Sequence, residues 1–253
     1  MSIRSAFLAF LALAAIAPCS AAEVSMLTTG AFKPVAVGMI PAFEKQTGHK
    51  VVLANDTAGG VARRIADGEA FDLVVLTPSG LRDLAAKGKV VPTSIVDLVR
   101  VGIGVGIRTG DAAPDISGVD AFRKMLIDAP SVAYIDPASG GSSGIYLAGL
   151  FQRLGIADAI APKAVLVRGG LVAERLVDGK AVVGMQQISE ILAVKGATLV
   201  GPLPAEVQNY TIYSGAIGTA ARAPDAANQL LSLFQGEQAK AEFKSHGMEA
   251  AKP

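Results

Sequence analysis

The chain has 253 residues, which is enough for one large or two small domains. Because 51% of the residues are hydrophobic and only 18% are charged, the chain can bury a core, and this composition argues against intrinsic disorder. It has no Trp, only 5% aromatic residues and a formal net charge of +1. These values argue against nucleic acid or an acidic membrane surface as the main partner.

The first 22 residues have the pattern of a secretory signal peptide. Arg4 gives a positive n-region, residues 6–17 form an apolar segment too short to span a bilayer, and small residues precede Glu23. We expect cleavage before Glu23 and export to the periplasm, with a buried N-terminal helix as the alternative. Cys19 is the only cysteine, so the mature chain is predicted to contain neither disulfides nor a thiol nucleophile.

The next part of the chain alternates short apolar runs with helical patterns. The apolar runs are residues 24–28, 50–54 and 71–77, and the helical patterns end near residues 46, 66 and 87. Glycines stand where each helix should stop, at Gly48, Gly68 and Gly88. This alternation predicts βαβ units and a parallel sheet.

The segment VRVGIGVGI, residues 99–107, differs from these runs. Its Val and Ile residues share one face of a strand, whereas Gly102, Gly104 and Gly106 share the other. Such a face suits close approach of another backbone or a crossing strand that must bend. We therefore interpret this segment as the first passage into a second lobe.

The alternation then resumes and returns to the first lobe. Strands are predicted at 131–135, 164–167, 182–185, 198–200 and 210–217, and helices around 145–154, 171–177, 188–194, 224–234 and 237–245. The predicted fold is α/β and two-lobed, with two crossing segments at the hinge. Lobe 1 is expected to comprise residues 23–98 and 206–253, and lobe 2 residues 99–205, with ligands bound where strand carboxyl ends meet across the cleft.

Four Gly-rich loops follow predicted strands and open helices. They are Thr28-Thr29-Gly30, Thr57-Ala58-Gly59-Gly60, residues 139–144 and Arg168-Gly169-Gly170. Gly lets backbone N–H groups approach a ligand, and helix N-termini carry free donors with partial positive charge. Together the loops predict an anion site in which Arg168 can grip a carboxylate; plain turns and helix caps are the alternative.

A hydrolase is a second interpretation, because Gly140–Gly144 fits the G-x-S-x-G pattern and Ser142 would be its nucleophile. His246 follows Ser142 in the order that a hydrolase requires, but it lies in a polar terminal helix close to the chain end. No metal-ligand cluster or Walker A motif is present in the sequence. We therefore expect no catalytic residue, no metal and no cofactor.

Four segments carry a resemblance to a known family: AFEKQTGHKV, VARRIADGEAFDLVV, DPASGGSSGIYLAGLFQRLG, and LVRGGL followed by AVVGMQQISE. Together they cover nearly the whole mature chain, and the chain resembles periplasmic molybdate-binding proteins, the solute receptors of ABC importers with the type II periplasmic-binding fold. The resemblance implies a bilobal, monomeric receptor that closes on a small oxyanion and passes it to an ABC permease. A receptor that signals to a membrane sensor is a further alternative.

The resemblance also implies positions for the ligand contacts. The first-loop serine of the family falls on Ala31 and the second-loop serine on Ala58, with threonines nearby, and its tyrosine falls near Gln187. Its backbone donors fall on Ser143 and Val167. The predicted ligand-binding set is Thr28, Thr29, Thr57, Ala58, Gly59, Ser142, Ser143, Val167, Arg168 and Gln187. Because Gln187 can also accept a hydrogen bond, we expect a small anion, either a carboxylate or a tetrahedral oxyanion.

Overall fold

A computed structural model describes residues 21–251 of the chain. The predicted signal sequence up to residue 20, with Cys19, lies outside the described residues. Within residues 21–251, none of the helices combines the length and the apolar character needed to cross a membrane.

The described part of the chain contains ten strands and ten α-helices. The strands are β1 (Glu23–Thr29), β2 (Lys50–Asp56), β3 (Leu73–Leu76), β4 (Val96–Arg108), β5 (Val132–Ile135), β6 (Ala164–Val167), β7 (Val183–Gln187), β8 (Ala197–Pro202), β9 (Tyr210–Ile217) and β10 (Glu249–Ala250). The helices are α1 (Lys33–Thr47), α2 (Ala58–Ala66), α3 (Pro78–Ala86), α4 (Val119–Asp128), α5 (Ser142–Arg153), α6 (Ala157–Ile160), α7 (Glu174–Val177), α8 (Ile188–Leu192), α9 (Pro224–Leu233) and α10 (Glu237–Ser245).

The strands pair in the order β2-β1-β3-β9-β4-β7-β5-β6, with β8 and β10 also paired to β4. Two parallel groups stand at opposite ends of this path, β2-β1-β3 and β7-β5-β6. Antiparallel pairings of β9 and β4 join them. The predicted α/β fold with βαβ units and crossing strands is confirmed.

Strand β4 passes from one group to the other at a single point. Gly102 lies opposite Tyr210 of β9, and the next residue, Ile103, lies opposite Gln187 of β7. The apolar face of β4 changes cores at the same point, because Val101 packs with β1 and α1 whereas Ile103 packs with β5 and α5. The predicted lobe boundaries at residues 98 and 205 stay a prediction.

The glycine face of β4 is covered closely, as the sequence predicted. A Cβ atom added to Gly104 would lie 2.9 Å from Ile188, and one added to Gly106 would lie 3.0 Å from Ile191. Both partners belong to α8, so the short helix can sit directly on the strand only because these positions lack side chains. This contact fixes the position of α8 and of the residues that it carries toward the cleft.

Some helices differ from the sequence-based expectation. Helix α4 was not predicted, although Phe122 and Leu126 give it a buried face. Helix α2 begins at Ala58, three residues before the predicted start, because the Thr57 hydroxyl accepts a hydrogen bond from Gly60 N–H and caps it. Helix α7 is only four residues long, where a seven-residue helix was predicted. Element ends are set by such local contacts more than by periodicity.

Candidate functional site

A cavity of about 390 Å³ lies where the predicted loops meet. From the β1 and β2 side it is lined by residues of segments 29–37 and 55–58, and from the β5 and β7 side by residues of segments 135–143, 170–174 and 186–193. Tyr213 of β9 completes the lining. The volume falls in the range typical of small-molecule sites.

The N-terminus of α5 provides backbone donors to this cavity. Ser142 and Ser143 are the first two residues of the helix, so their N–H groups have no intrahelical acceptor. Gly144 brings the helix start against β5, since a Cβ atom there would lie 2.1 Å from the carbonyl oxygen of Ile135. The arrangement aims free donors and the positive end of a 12-residue helix at the cavity, which suits an anion.

A chain of polar side chains lies behind these donors. The Ser142 hydroxyl is 3.1 Å from the Tyr213 hydroxyl and accepts a hydrogen bond of 3.2 Å from the Gln187 amide. The same amide donates to the Thr211 hydroxyl at 2.9 Å. Burial raises the pKa of Tyr213 well above its ordinary value, and the charge of Glu190 acts in the same direction. The phenol therefore stays neutral and can donate a hydrogen bond.

One edge of the cavity is closed by contacts between the second and third Gly-rich loops. The Thr57 hydroxyl donates to the carbonyl oxygen of Ser139 at 2.7 Å, and Gly59 N–H donates to the carbonyl oxygen of Gly140 at 3.0 Å. The Arg63 guanidinium also donates to the Ser139 carbonyl. The second and third Gly-rich loops are therefore joined along this edge of the cavity, and the Gly59 N–H already donates to one of the joining hydrogen bonds.

Three buried polar atoms have no hydrogen-bond partner among the described residues. They are the hydroxyls of Thr28 and Thr29 and the side-chain oxygen of Gln187. Thr29 lines the cavity itself. Because an unsatisfied buried polar group is costly, the Thr29 hydroxyl marks a place in the cavity where a polar ligand would be favourable.

Glu190 of α8 brings a carboxyl group into the cavity. The residue is only 8% exposed and lines the cavity, and the polar groups that act on its carboxyl group are the Gln187 N–H and the Gln186 side chain. Burial raises the pKa of Glu190 from its ordinary value of 4.5 to about 8, although both partners favour the ionised form. At neutral pH most molecules therefore carry a neutral carboxylic acid here, which does not repel an anion.

The structure brings only part of the predicted ligand-binding set to the cavity wall. Thr29, Thr57, Ala58, Ser142 and Ser143 line it, whereas Thr28, Gly59, Val167, Arg168 and Gln187 do not. Thr28 and Gln187 are fully buried close behind the wall. These assignments as ligand contacts stay a prediction.

Arg168 points away from the cavity. Its side chain is 92% exposed and lies 3.8 Å from the Asp136 carboxylate, while the carbonyl of neighbouring Val167 accepts a hydrogen bond from Asp136 N–H. The cation therefore sits beside a carboxylate at the surface instead of gripping a ligand in this conformation.

In the described residues, neither histidine contacts Ser142, so the catalytic triad that a hydrolase requires is not formed. The Ser142 hydroxyl bonds to Tyr213 and Gln187, whereas the His246 ring bonds to Glu242 and the His49 ring accepts from Ala22 N–H. Over residues 21–251, His, Cys, Asp and Glu side chains form no group that could hold a metal ion.

Sequence reasoning missed Glu190 and Tyr213. A signal existed for both: Glu190 is a charged residue three positions after the end of the buried strand β7, and Tyr213 lies on the buried face of β9, two residues after the buried Thr211. Neither stands in a Gly-rich loop, so a search for anion loops passes over them.

Comparisons with known proteins agree with the fold described above. A family model described as bacterial extracellular solute-binding protein matches residues 24–249. An aconitate isomerase from Pseudomonas sp. is 35% identical over 231 residues, which cover 89% of this chain and 87% of that protein. The periplasmic molybdate-binding protein of Azotobacter vinelandii superimposes with a TM-score of 0.75 at 20% identity, covering 91% of this chain and all of that one. The sulfate-binding protein SubI of Mycobacterium tuberculosis gives 0.74 at 18% identity, covering 92% and 88%.

Proposed function

The chain belongs to the bacterial extracellular solute-binding proteins, and we propose that its cleft closes on a small polycarboxylate anion and delivers it to an ABC permease of the inner membrane. The observation that carries the proposal is the lining of the cavity: helix-start donors at Ser142 and Ser143 beside the buried acid Glu190. Closure is a hinge motion of two lobes around the ligand, followed by opening at the permease.

The same lining favours a polycarboxylate over a tetrahedral oxyanion. Backbone N–H groups at the start of α5 suit one carboxylate, and the neutral Glu190 acid can donate a hydrogen bond to a second one. A bare tetrahedral dianion needs only donors, and it fills much less than a cavity of about 390 Å³. The 35% identical relative, named as an aconitate isomerase, supports a polycarboxylate as well.

A thermal-shift screen of the mature protein tests this proposal. The panel contains cis- and trans-aconitate, citrate, tricarballylate and succinate, with molybdate, tungstate and sulfate as the competing class. A ligand at 100 times its dissociation constant should stabilise the protein by about 2.7 kcal/mol. Stabilisation by polycarboxylates supports the proposal, whereas stabilisation by molybdate and tungstate alone refutes it.

Isomerisation of the bound polycarboxylate is a second candidate function. The sequence predicted no catalytic residue, but a buried carboxyl group with a pKa of about 8 has the properties of a general acid–base group. The similarity to an aconitate isomerase favours the same chemistry. Incubation of the protein with cis-aconitate, followed by chromatography for trans-aconitate, distinguishes an isomerase from a receptor that only binds.

A periplasmic location and a monomeric state remain part of the proposal. Extracellular solute-binding proteins act outside the cytoplasm, which agrees with the predicted signal peptide. Fractionation of cells that express the full chain, with light scattering of the purified mature protein, tests both points.

A further inference from the structure

Glu190 differs from the other acidic residues that line the cavity. Asp56 and Glu174 also line it, but Glu174 is exposed and its carboxylate lies 3.6 Å from Arg175. Asp56 accepts a hydrogen bond from Thr57 N–H at 2.7 Å. Glu190 is the buried one, with only amide groups of Gln186 and Gln187 as polar partners.

We infer that the Glu190 carboxyl group is the acid–base group of this cavity, moving a proton between two carbon atoms of a bound unsaturated polycarboxylate. The inference rests on the proposed binding of a polycarboxylate in the cavity.

The step needs no co-reactant. In the minor fraction of molecules in which Glu190 is ionised at neutral pH, its carboxylate takes a proton from the CH₂ group next to the double bond. The C–H electron pair then spreads over the three-carbon allylic system and its carboxylates. The protonated Glu190 then returns the proton to the carbon at the other end, and the double bond reforms one position along. The former single bond becomes the new double bond, so its conformation before proton abstraction decides whether the cis or the trans isomer forms.

The donors of the cavity suit the charge that this step creates. Charge leaves the C–H bond and accumulates on a carboxylate of the substrate. The N–H groups of Ser142 and Ser143 stand at the helix start without intrahelical acceptors, so they can bind such a carboxylate without rearrangement. The neutral phenol of Tyr213, 3.1 Å from the Ser142 hydroxyl, adds a further donor at the same wall.

Gly30 holds the acid in place from the opposite loop. A Cβ atom built on Gly30 would lie 2.5 Å from Oε1 of Glu190, so the carboxyl group packs against bare backbone of the β1–α1 loop. An alanine at this position would push the flexible end of Glu190 aside while leaving the carboxyl group in the chain. Gly30 is thus a positioning residue for Glu190.

Hydrogen–deuterium exchange of cis-aconitate in D₂O, followed by proton NMR, tests the inference on the full mature protein. We expect the wild-type protein to exchange the CH₂ and vinyl hydrogens and to form trans-aconitate. Glu190→Gln should bind cis-aconitate with a comparable thermal shift but lose exchange at least about 100-fold. Gly30→Ala should reduce exchange with binding retained, and Glu206→Gln, an exposed carboxyl on another segment, should match wild type.

The outcomes separate this inference from the proposed function. If no polycarboxylate stabilises the wild-type protein, the proposed binding fails. If cis-aconitate binds the wild-type protein without exchange or isomerisation, binding stands and the acid–base role is overturned. Exchange at the wild-type rate in Glu190→Gln also overturns it. If Glu190→Gln does not fold, Gly30→Ala decides, and an unchanged exchange rate in that variant contradicts the role.

Discussion

The hydroxyl oxygens of Ser142 and Tyr213 lie 3.1 Å apart and connect the start of α5 with β9. Ser142 belongs to the group of elements around β5 and β7, whereas β9 pairs with β3 beside β1. This hydrogen bond therefore joins the two groups of parallel strands at the wall of the cavity. A ligand hydroxyl or carboxylate at this point of the cavity wall would lie within reach of both hydroxyls.

Tyr213→Phe should weaken polycarboxylate binding about 2-fold to 10-fold, because the variant loses one hydrogen bond of about 0.5–1.5 kcal/mol but keeps the buried ring. Isothermal titration calorimetry measures the change. Tyr210→Phe is the matched control, since Tyr210 is on the same strand and 50% exposed. Equal affinities of Tyr213→Phe and wild type would show that the phenol does not contact the ligand.

Gly59→Ala should prevent full closure of the cleft. A Cβ atom at this position would lie 2.8 Å from the Cα atom of Gly140, and backbone cannot give way as a side chain can. We expect at least a tenfold loss of affinity and, with saturating ligand, a larger radius of gyration in X-ray scattering than for wild type. Gly149→Ala is the control: it lies inside α5, where its nearest contact is the flexible Arg153 side chain, and it should leave affinity unchanged. An unaltered radius and affinity for Gly59→Ala would contradict the closure contact.

Glu190 should make the stability of the folded protein depend on pH. Between about pH 4.5 and 8 the folded state keeps a proton that the unfolded state has lost, because burial raises the pKa of Glu190 to about 8. The free energy of unfolding should therefore fall as the pH rises through this window, by at most about 1.4 kcal/mol per pH unit from this group. Urea titrations at several pH values measure the slope.

Glu190→Gln should remove that contribution. Tyr213, Lys33, Asp56 and Glu174 line the same cavity and are present in both proteins, so the difference between the two pH profiles isolates Glu190. Parallel profiles for wild type and variant would mean that Glu190 is ionised throughout the range.

In binding experiments, affinity for an anion should decrease above pH 8 in wild type but not in Glu190→Gln, because only wild type gains a negative charge in the cavity.

Gln208→Ala should destabilise the crossing point of β4. The Gln208 side chain accepts from Ile103 N–H and donates to the Ile103 carbonyl oxygen, both at 2.9 Å, where β4 changes partners. Loss of this partner leaves a buried backbone group unsatisfied, at about 1–3 kcal/mol. Urea denaturation compares the variant with Gln229→Ala, an exposed glutamine of α9 that should be neutral. A midpoint equal to wild type for Gln208→Ala would contradict this role.

The order and type of most elements follow from the sequence because they depend on local pattern. Short apolar runs between helical patterns predicted β1, β2, β5 and β9, and the glycine face of residues 102–106 identified the crossing strand. Helix α4 was missed, and α2 and α5 begin earlier than periodicity indicates. Caps and tertiary packing decide those ends, and a single sequence shows them only weakly.

The candidate site also combines residues that the sequence predicts with residues that only the structure places there. The sequence by itself determined the Gly-rich loops, and with them Thr29, Thr57, Ala58, Ser142 and Ser143 at the cavity wall, because loops after parallel strands must meet at one edge of a sheet. It also determined the family resemblance. Only the tertiary structure decided that Arg168 faces solvent beside Asp136. Only the tertiary structure placed Glu190 and Tyr213 in the cavity, since burial and the resulting pKa shifts depend on neighbours far away in the chain.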